Sequence, residues 1–322
     1  MSASSPAPQL PQRAKRGRGV LIGIIAAIVV IIVVVVIIVV ANRNNSSSSS
    51  AGATTNAPQT VSIGVADAAS PYWKTYQDLA KSKYNVTIKL VNFTDYSQPN
   101  PALSQGQTDL NEFQHIQYLA NYNVTSHDDL QPIGATAVYP LPLYSTKYKA
   151  ASSIPDGSAV AIPNDAVNEA RGLLVLQSAK LITLKDGGNA FSTVSDIETH
   201  KVDVTALDAS QTAGALQAGS VAAAIVNQNY ATQAKLAKTD AIFKDDPSSA
   251  SAAPYVNVFV AQKKDITNPL YLKLAALYHT ASVEKGVETQ NNGTAVFRTT
   301  SAADLQKELA TVESQAKAAA SK

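Results

Sequence analysis

The sequence predicts an α/β body large enough for two lobes, carried behind one membrane-spanning segment. Three observations carry that expectation. Residues 20–41, VLIGIIAAIVVIIVVVVIIVVA, form a single uncharged apolar block. From Val61 onward, short β-branched runs alternate with longer amphipathic segments, the pattern of strands joined by crossover helices in parallel sheets. The length of 322 residues corresponds to roughly two domains at about 150 residues each.

The apolar block accounts for the low charged fraction of 16%, against about 25% in ordinary globular chains. Its 22 residues give a helix of about 33 Å, the thickness of a hydrocarbon core. A cleaved secretory signal would have an apolar region of only about 7–15 residues and a small-residue cleavage site. The block is longer than that and ends in VVANRNN, so an uncleaved anchor is expected. Residues 1–60 hold five of the 26 basic residues (Arg13, Lys15, Arg16, Arg18, Arg43) and no acidic one. Four of the five precede the block, which places the basic tail (1–19) in the cytoplasm and the body outside the cell membrane. The remainder, with 21 basic and 24 acidic residues, carries −3. The sequence pI of 8.5 therefore reflects a basic tail on a mildly acidic body, and a nucleic-acid partner loses its electrostatic support. With no cysteine, disulfides, thiolate metal sites and cysteine-linked lipids are excluded.

Residues 42–60, NRNNSSSSSAGATTNAPQT, have the composition of a flexible Ser-rich linker, spanning on the order of 25 Å. A glycan-bearing stalk is the alternative. Asn85-Val86-Thr87, Asn92-Phe93-Thr94 and Asn123-Val124-Thr125 fit the N-glycosylation pattern but matter only in a eukaryotic secretory host. In the body, strands are predicted at 61–65, 86–93, 133–138, 159–162, 222–226 and 256–260. Helices are predicted at 72–83, 101–105, 116–121, 167–179, 212–218, 270–283 and 302–319. Tyr139-Pro140-Leu141-Pro142-Leu143-Tyr144 reads as one crossover between lobes, and the segment near Ala252-Ala253-Pro254 as a second.

The four histidines are scattered without metal spacing, and neither a GxSxG elbow nor a Gly-rich phosphate loop occurs. No enzyme, metal or cofactor is expected. Three clusters remain, each with a plain structural alternative. Asp95-Tyr96-Ser97-Gln98-Pro99-Asn100 is a polar turn that presents one tyrosine, or a turn and nothing more. In Phe113-Gln114-His115-Ile116-Gln117-Tyr118, residues 115 and 118 share a helix face if the helix starts here, forming an apolar slot with a polar rim or simply core. In Ile162 to Arg171, IPNDAVNEAR, a strand turns into a helix. Its free N–H groups and Arg171 suit a carboxylate, or Asp165 or Asn168 caps the helix and Arg171 pairs with a surface acid. Asn227 follows an apolar strand, where ligands of open α/β sheets bind.

Together, VNFTDYSQPNPAL, DLNEFQHIQYL, YPLPLYSTKYKAASSIPDGSAVAIPNDAVNEARGLLVLQSAKLITLKDG, AAAIVNQNYA and PYVNVFVA resemble, in order, the NlpA/MetQ family of methionine-binding substrate-binding proteins of ABC importers. The likeness covers most of Val61 to about Phe297. It implies a periplasmic-binding-protein-like fold of two α/β lobes, 61–140 plus 254–322 and 141–253, joined by two crossovers and closing on a free amino acid, usually L-methionine. By that likeness Tyr96, Phe113, His115 and Tyr118 surround the thioether, which gains about 0.3–1.5 kcal/mol per aromatic contact. Arg171 and the helix start near Asn168 would meet the α-carboxylate, and Asn227 and Asn257 would fix the polar ends. The implied partners are the permease and ATPase of an ABC importer.

Three departures stand out. No lipobox cysteine is present, so the apolar block would do the anchoring. Ala166 stands where the family has proline after Asn-Asp, and Gln117 where it has proline before Tyr118. The alternatives are the same fold with another apolar amino acid or a methionine-containing peptide, or a stalked adhesin that has lost transport. A tethered hydrolase lacks a nucleophile and base.

Overall fold

The computed structural model describes residues 59–320, which fall within one unit of the chain, residues 56–322. The predicted tail (1–19), span (20–41) and the linker up to residue 58 lie outside the described residues. Among the described residues no helix is long and apolar enough to cross a membrane.

The first part of the chain runs β1 (Gln59–Val65), α1 (Tyr72–Tyr84), β2 (Val86–Asn92), α2 (Pro99–Ser104), β3 (Leu110–His115), α3 (Ile116–Ser126) and β4 (Gln131–Val138). It continues with β5 (Pro142–Tyr144), β6 (Ser158–Pro163), α4 (Ala166–Ser178), β7 (Ile182–Leu184), β8 (Ile197–His200), β9 (Val202–Leu207), α5 (Ala209–Gln217), β10 (Ala223–Ile225), α6 (Gln228–Gln233) and β11 (Ala241–Lys244). It closes with β12 (Val256–Ala261), α7 (Pro269–Leu277), α8 (Ala281–Gln290), β13 (Val296–Phe297) and α9 (Ala302–Ala320).

The strands form two main sheets. One has the order β13-β4-β12-β3-β1-β2, the other β11-β5-β10-β6-β9, and β7 with β8 makes a separate hairpin. Each sheet is filled on both faces, as its sequence dictates. In β12, Val256, Val258 and Val260 pack with Leu119, Leu305 and Leu309 on one side. Phe259 and Ala261 pack with Trp73, Tyr76 and Tyr278 on the other. In the second sheet Val160 and Ile162 face one core and Ala161 the other. A side chain such as Phe259, fully shielded, contributes about 1.5–3 kcal/mol by burial.

The expectation of parallel sheets is corrected: both sheets are mixed. β1 runs parallel to β2 and β3, and β6 to β9 and β10. β12, returning to the first sheet from the second crossover, inserts antiparallel between β3 and β4. β5 pairs antiparallel with β10 and β11. Residues 142–144, read as part of a crossover, are therefore partly strand. The single helix expected at 270–283 is two, α7 and α8. Between them Tyr278, His279 and Thr280 donate to carbonyls three residues back, and Thr280 turns extended at ψ 140°. Tyr278 is fully buried there. Helix α1 stops where expected, because Asn85 adopts the left-handed conformation at φ 55° and donates back to Ala80 and Lys81.

Candidate functional site

A cavity of about 740 Å³ opens where the carboxyl ends of β1, β2, β3, β6 and β10 converge, and its walls come from elements of both main sheets. All eight residues singled out from the sequence line it: Tyr96, Phe113, His115, Tyr118, Asn168, Arg171, Asn227 and Asn257.

The aromatic wall follows from a turn and a helix start. Asp95 accepts from the Ser97 N–H at 2.8 Å, an Asx turn that brings Tyr96 inward after β2. Phe113 lies on β3 and Tyr118 in the first turn of α3. The three rings form a near-equilateral set, with centroids 6.0 Å (Tyr96–Phe113), 6.1 Å (Tyr96–Tyr118) and 5.9 Å (Phe113–Tyr118) apart. The expectation that His115 shares a helix face with Tyr118 is corrected. His115 closes β3 in an extended conformation and caps α3, its Nδ1 accepting from the Tyr118 N–H at 3.2 Å. Burial, and then the Arg171 charge, lower its pKa to about 3. The ring is neutral, and because Nδ1 accepts, the proton sits on Nε2.

The polar wall is built at the β6–α4 turn. Asp165 caps α4, accepting from the Asn168 N–H at 3.0 Å, and both of its oxygens also accept from Asn168 Nδ2 at 3.0 Å. Asn168 Oδ1 accepts from Asn227 Nδ2 at 2.9 Å. Asn257 donates to the Ala137 carbonyl at 3.3 Å. Arg171, 6% exposed, donates from Nε to Asp245 at 2.8 Å and from Nη2 to the Tyr139 carbonyl at 2.9 Å. Its Nη2 also pairs with Asp245 at 2.7 Å, and Tyr255 stacks over the guanidinium at 4.2 Å. The cap and the ion pair are thus both present, and the same residues still face the cavity.

Several lining groups were not singled out. Glu112, on β3 between Asn111 and Phe113, is 6% exposed and accepts from Thr136 Oγ1 at 3.0 Å. Burial first, and the nearby Asp67 charge second, raise its pKa to about 8, so it is uncharged at neutral pH. Asp67 is raised by burial as well, held against that by donors from Ser70, Tyr72 and Trp73. Helix α6 reaches across the cavity mouth. The Tyr96 hydroxyl donates to Asn229 Oδ1, the Tyr230 hydroxyl to the Thr94 carbonyl at 3.0 Å, and Gln233 Nε2 to the Ala66 carbonyl at 2.9 Å. Reading DLNEFQ as an alternating strand would have exposed Glu112. Nothing in the sequence marks Asp245, 74 positions after Arg171, as its partner.

A buried amide acceptor, Asn227 Oδ1, and a buried amide donor, Asn229 Nδ2, have no partner within the described structure. Among the described residues no cluster of His, Asp or Glu could hold a metal ion. The site is a half-aromatic, half-amide enclosure suited to a small ligand with an apolar tail and a zwitterionic head.

Residues 61–298 match the family described as NlpA lipoprotein. The D-methionine-binding lipoprotein MetQ of Yersinia pestis is 37% identical over 249 residues, 76% of this chain and 90% of its own length. The substrate-binding protein of a methionine transporter from Streptococcus pneumoniae superposes with a TM-score of 0.69 at 38% identity, over 74% of this chain and 95% of that one. A nutrient-binding protein from Burkholderia cenocepacia, solved bound to methionine, does so at 0.68 and 35% identity, over 74% and 99%.

Proposed function

The chain belongs to the NlpA lipoprotein family, one of methionine-binding ABC-transporter substrate-binding proteins, and from that premise we propose that it binds L-methionine between its lobes and delivers it to an importer permease. The observation that carries this reading is the convergence of the eight residues on one cavity, aromatic on one wall and amide-rich on the other. The thioether lies among Tyr96, Phe113 and Tyr118, with neutral His115 at the rim. The α-carboxylate meets Arg171 and the start of α4 near Asn168, and Asn227 and Asn257 hold the remaining polar contacts. Closure moves 61–140 plus 254–322 against 141–253, a hinge motion without covalent chemistry. The body stands outside the cell membrane, tethered by residues 42–60 to a single-pass anchor at 20–41, which does in this cysteine-free chain what a lipid does in the relatives named lipoproteins.

A second reading keeps the fold and changes the ligand to another apolar amino acid or a methionine-containing dipeptide. The volume of about 740 Å³, generous for one methionine, favours it. Calorimetric titration of the full chain with L- and D-methionine, leucine, phenylalanine and methionine dipeptides separates the two. L-methionine binding tightest supports the first; no methionine binding refutes it.

A further inference from the structure

We infer that Asp245 is a positioning residue at the hinge: it holds the Arg171 guanidinium against the opposite lobe, so that a ligand on Arg171 and closure of the lobes stabilise each other. This rests on the amino-acid reading above and deepens it. The chain passes from the first sheet to the second at residues 139–141, between β4 and β5, and returns at 245–255, between β11 and β12. Asp245 grips both passages. Standing on the second, it accepts at Oδ1 from the Leu141 N–H of the first at 2.7 Å. Its Oδ2 accepts from Arg171 Nε at 2.8 Å and lies 2.7 Å from Nη2. Arg171 and Asp245 both belong to the part 141–253. The other two groups on the guanidinium, the Tyr139 carbonyl at 2.9 Å and the Tyr255 ring at 4.2 Å, belong to the part 61–140 plus 254–322. One planar group thus bridges the hinge.

A guanidinium is a rigid fork of five N–H groups, so fixing Nε and Nη2 fixes its plane. Nη1 is left over. It has no hydrogen-bond partner among the described residues, is not among the atoms sealed from solvent, and belongs to a residue that lines the cavity. The ion pair itself adds little net stability, because the two side chains are only 7% and 27% exposed and desolvating the charges offsets their attraction. Its effect is on orientation. Swinging the lobes apart would carry the fork away from Tyr139 and Tyr255, and would break the bonds that α6 makes across the cavity mouth. The setting of the fork and the setting of the hinge are therefore one arrangement, and a ligand held by Arg171 in that arrangement shifts the population toward it. Asparagine at 245 cannot do the same. It has one oxygen for two sets of donors, so its NH2 must face either the Leu141 N–H or the guanidinium.

The test is the lobe closure that the ligand produces. Because the chain has no cysteine, Lys83→Cys on α1 and Glu198→Cys on β8, both exposed positions, carry the only two dyes, one in each lobe. Single-molecule energy transfer in the full chain then gives the ratio of closed to open molecules, and saturating L-methionine is expected to raise it in the parent. In Asp245→Asn that ratio at saturation is expected to fall at least about tenfold, the range of one hydrogen bond to a charged group, with calorimetric affinity falling alongside. Asp245→Glu, which keeps both oxygens, is expected to recover part of the closure. Tyr255→Leu removes only the ring over the guanidinium and is expected to lower the ratio several-fold, which keeps the test open if Asp245→Asn does not fold. An unchanged ratio in every folded variant overturns the inference. Weaker binding with the parent's closure overturns it as well, because that marks a local role at the ligand. A parent that binds L-methionine without closing overturns the inference and leaves the ligand reading standing. A parent that fails to bind L-methionine in calorimetry refutes the functional reading itself.

Discussion

Replacing Glu112 by glutamine isolates a strongly displaced acid in the cavity wall. Burial, reinforced by Asp67 and opposed by the Thr136 hydrogen bond, moves its pKa from 4.5 to about 8. Between those values the native state holds a proton that the unfolded chain has lost, so stability falls as pH rises, by about 1.4 kcal/mol per pH unit. Over the interval this amounts to about 5 kcal/mol, fully present below pH 4.5 and gone above about pH 8. His115 runs the other way. Its pKa falls from 6.5 to about 3, so its contribution is complete above pH 6.5 and lost as pH falls toward 3. The two slopes cancel between 4.5 and 6.5, and the parent's decline is expected mainly between pH 6.5 and 8. Glu112→Gln keeps an acceptor for Thr136 and abolishes the proton linkage. Chemical denaturation followed by circular dichroism from pH 5 to 9 should show the variant gaining on the parent by several kcal/mol as pH rises. A difference independent of pH would refute the assignment of Glu112 as buried and uncharged.

Arg171→Ala is expected to weaken L-methionine binding by about 2–5 kcal/mol in calorimetry, through loss of a buried charge. Because Arg171 also holds Asp245, Asp245→Asn serves as the control for that pair, and less than a tenfold loss of affinity in Arg171→Ala would remove Arg171 from the carboxylate clamp. Tyr230→Phe deletes one bond across the cavity mouth and should lower affinity by about 1 kcal/mol, chiefly through faster ligand release in stopped-flow fluorescence. Unchanged release would separate α6 from closure. Phe259→Ala, at a fully buried central-strand position, should lower stability by about 3–5 kcal/mol in denaturant unfolding; less than 1 kcal/mol would contradict the packing of the first sheet.

Elements with a strong local pattern were legible in the sequence. The run VSIGV, the apolar AAAIV and the helix stopped by Asn85 appear where hydrophobic period and end signals put them. Missed elements were those whose identity depends on neighbours. β3 reads LNEFQH, mostly polar, and is a strand because β1 and β12 pair with it on both sides. β5 has three residues and a proline, and is held by β10 and β11. The site shows the same division. Asn168 and Arg171 lie in the first two turns of the helix that follows β6, and Asn227 caps the helix that follows β10, so each stands beyond the carboxyl end of a strand, where ligands of open α/β sheets bind. The polarity of the site was out of reach, because it depends on Asp245 against Arg171 and on Asn227 against Asn168, partners 74 and 59 positions apart.

A structure of the full chain solved with L-methionine tests the central claim most directly. It should show one methionine in the cavity, its sulfur among Tyr96, Phe113 and Tyr118, its carboxylate on Arg171 and its remaining polar contacts on Asn227 and Asn257. Methionine bound elsewhere on the molecule, or a cavity left empty at saturating ligand, would contradict the account.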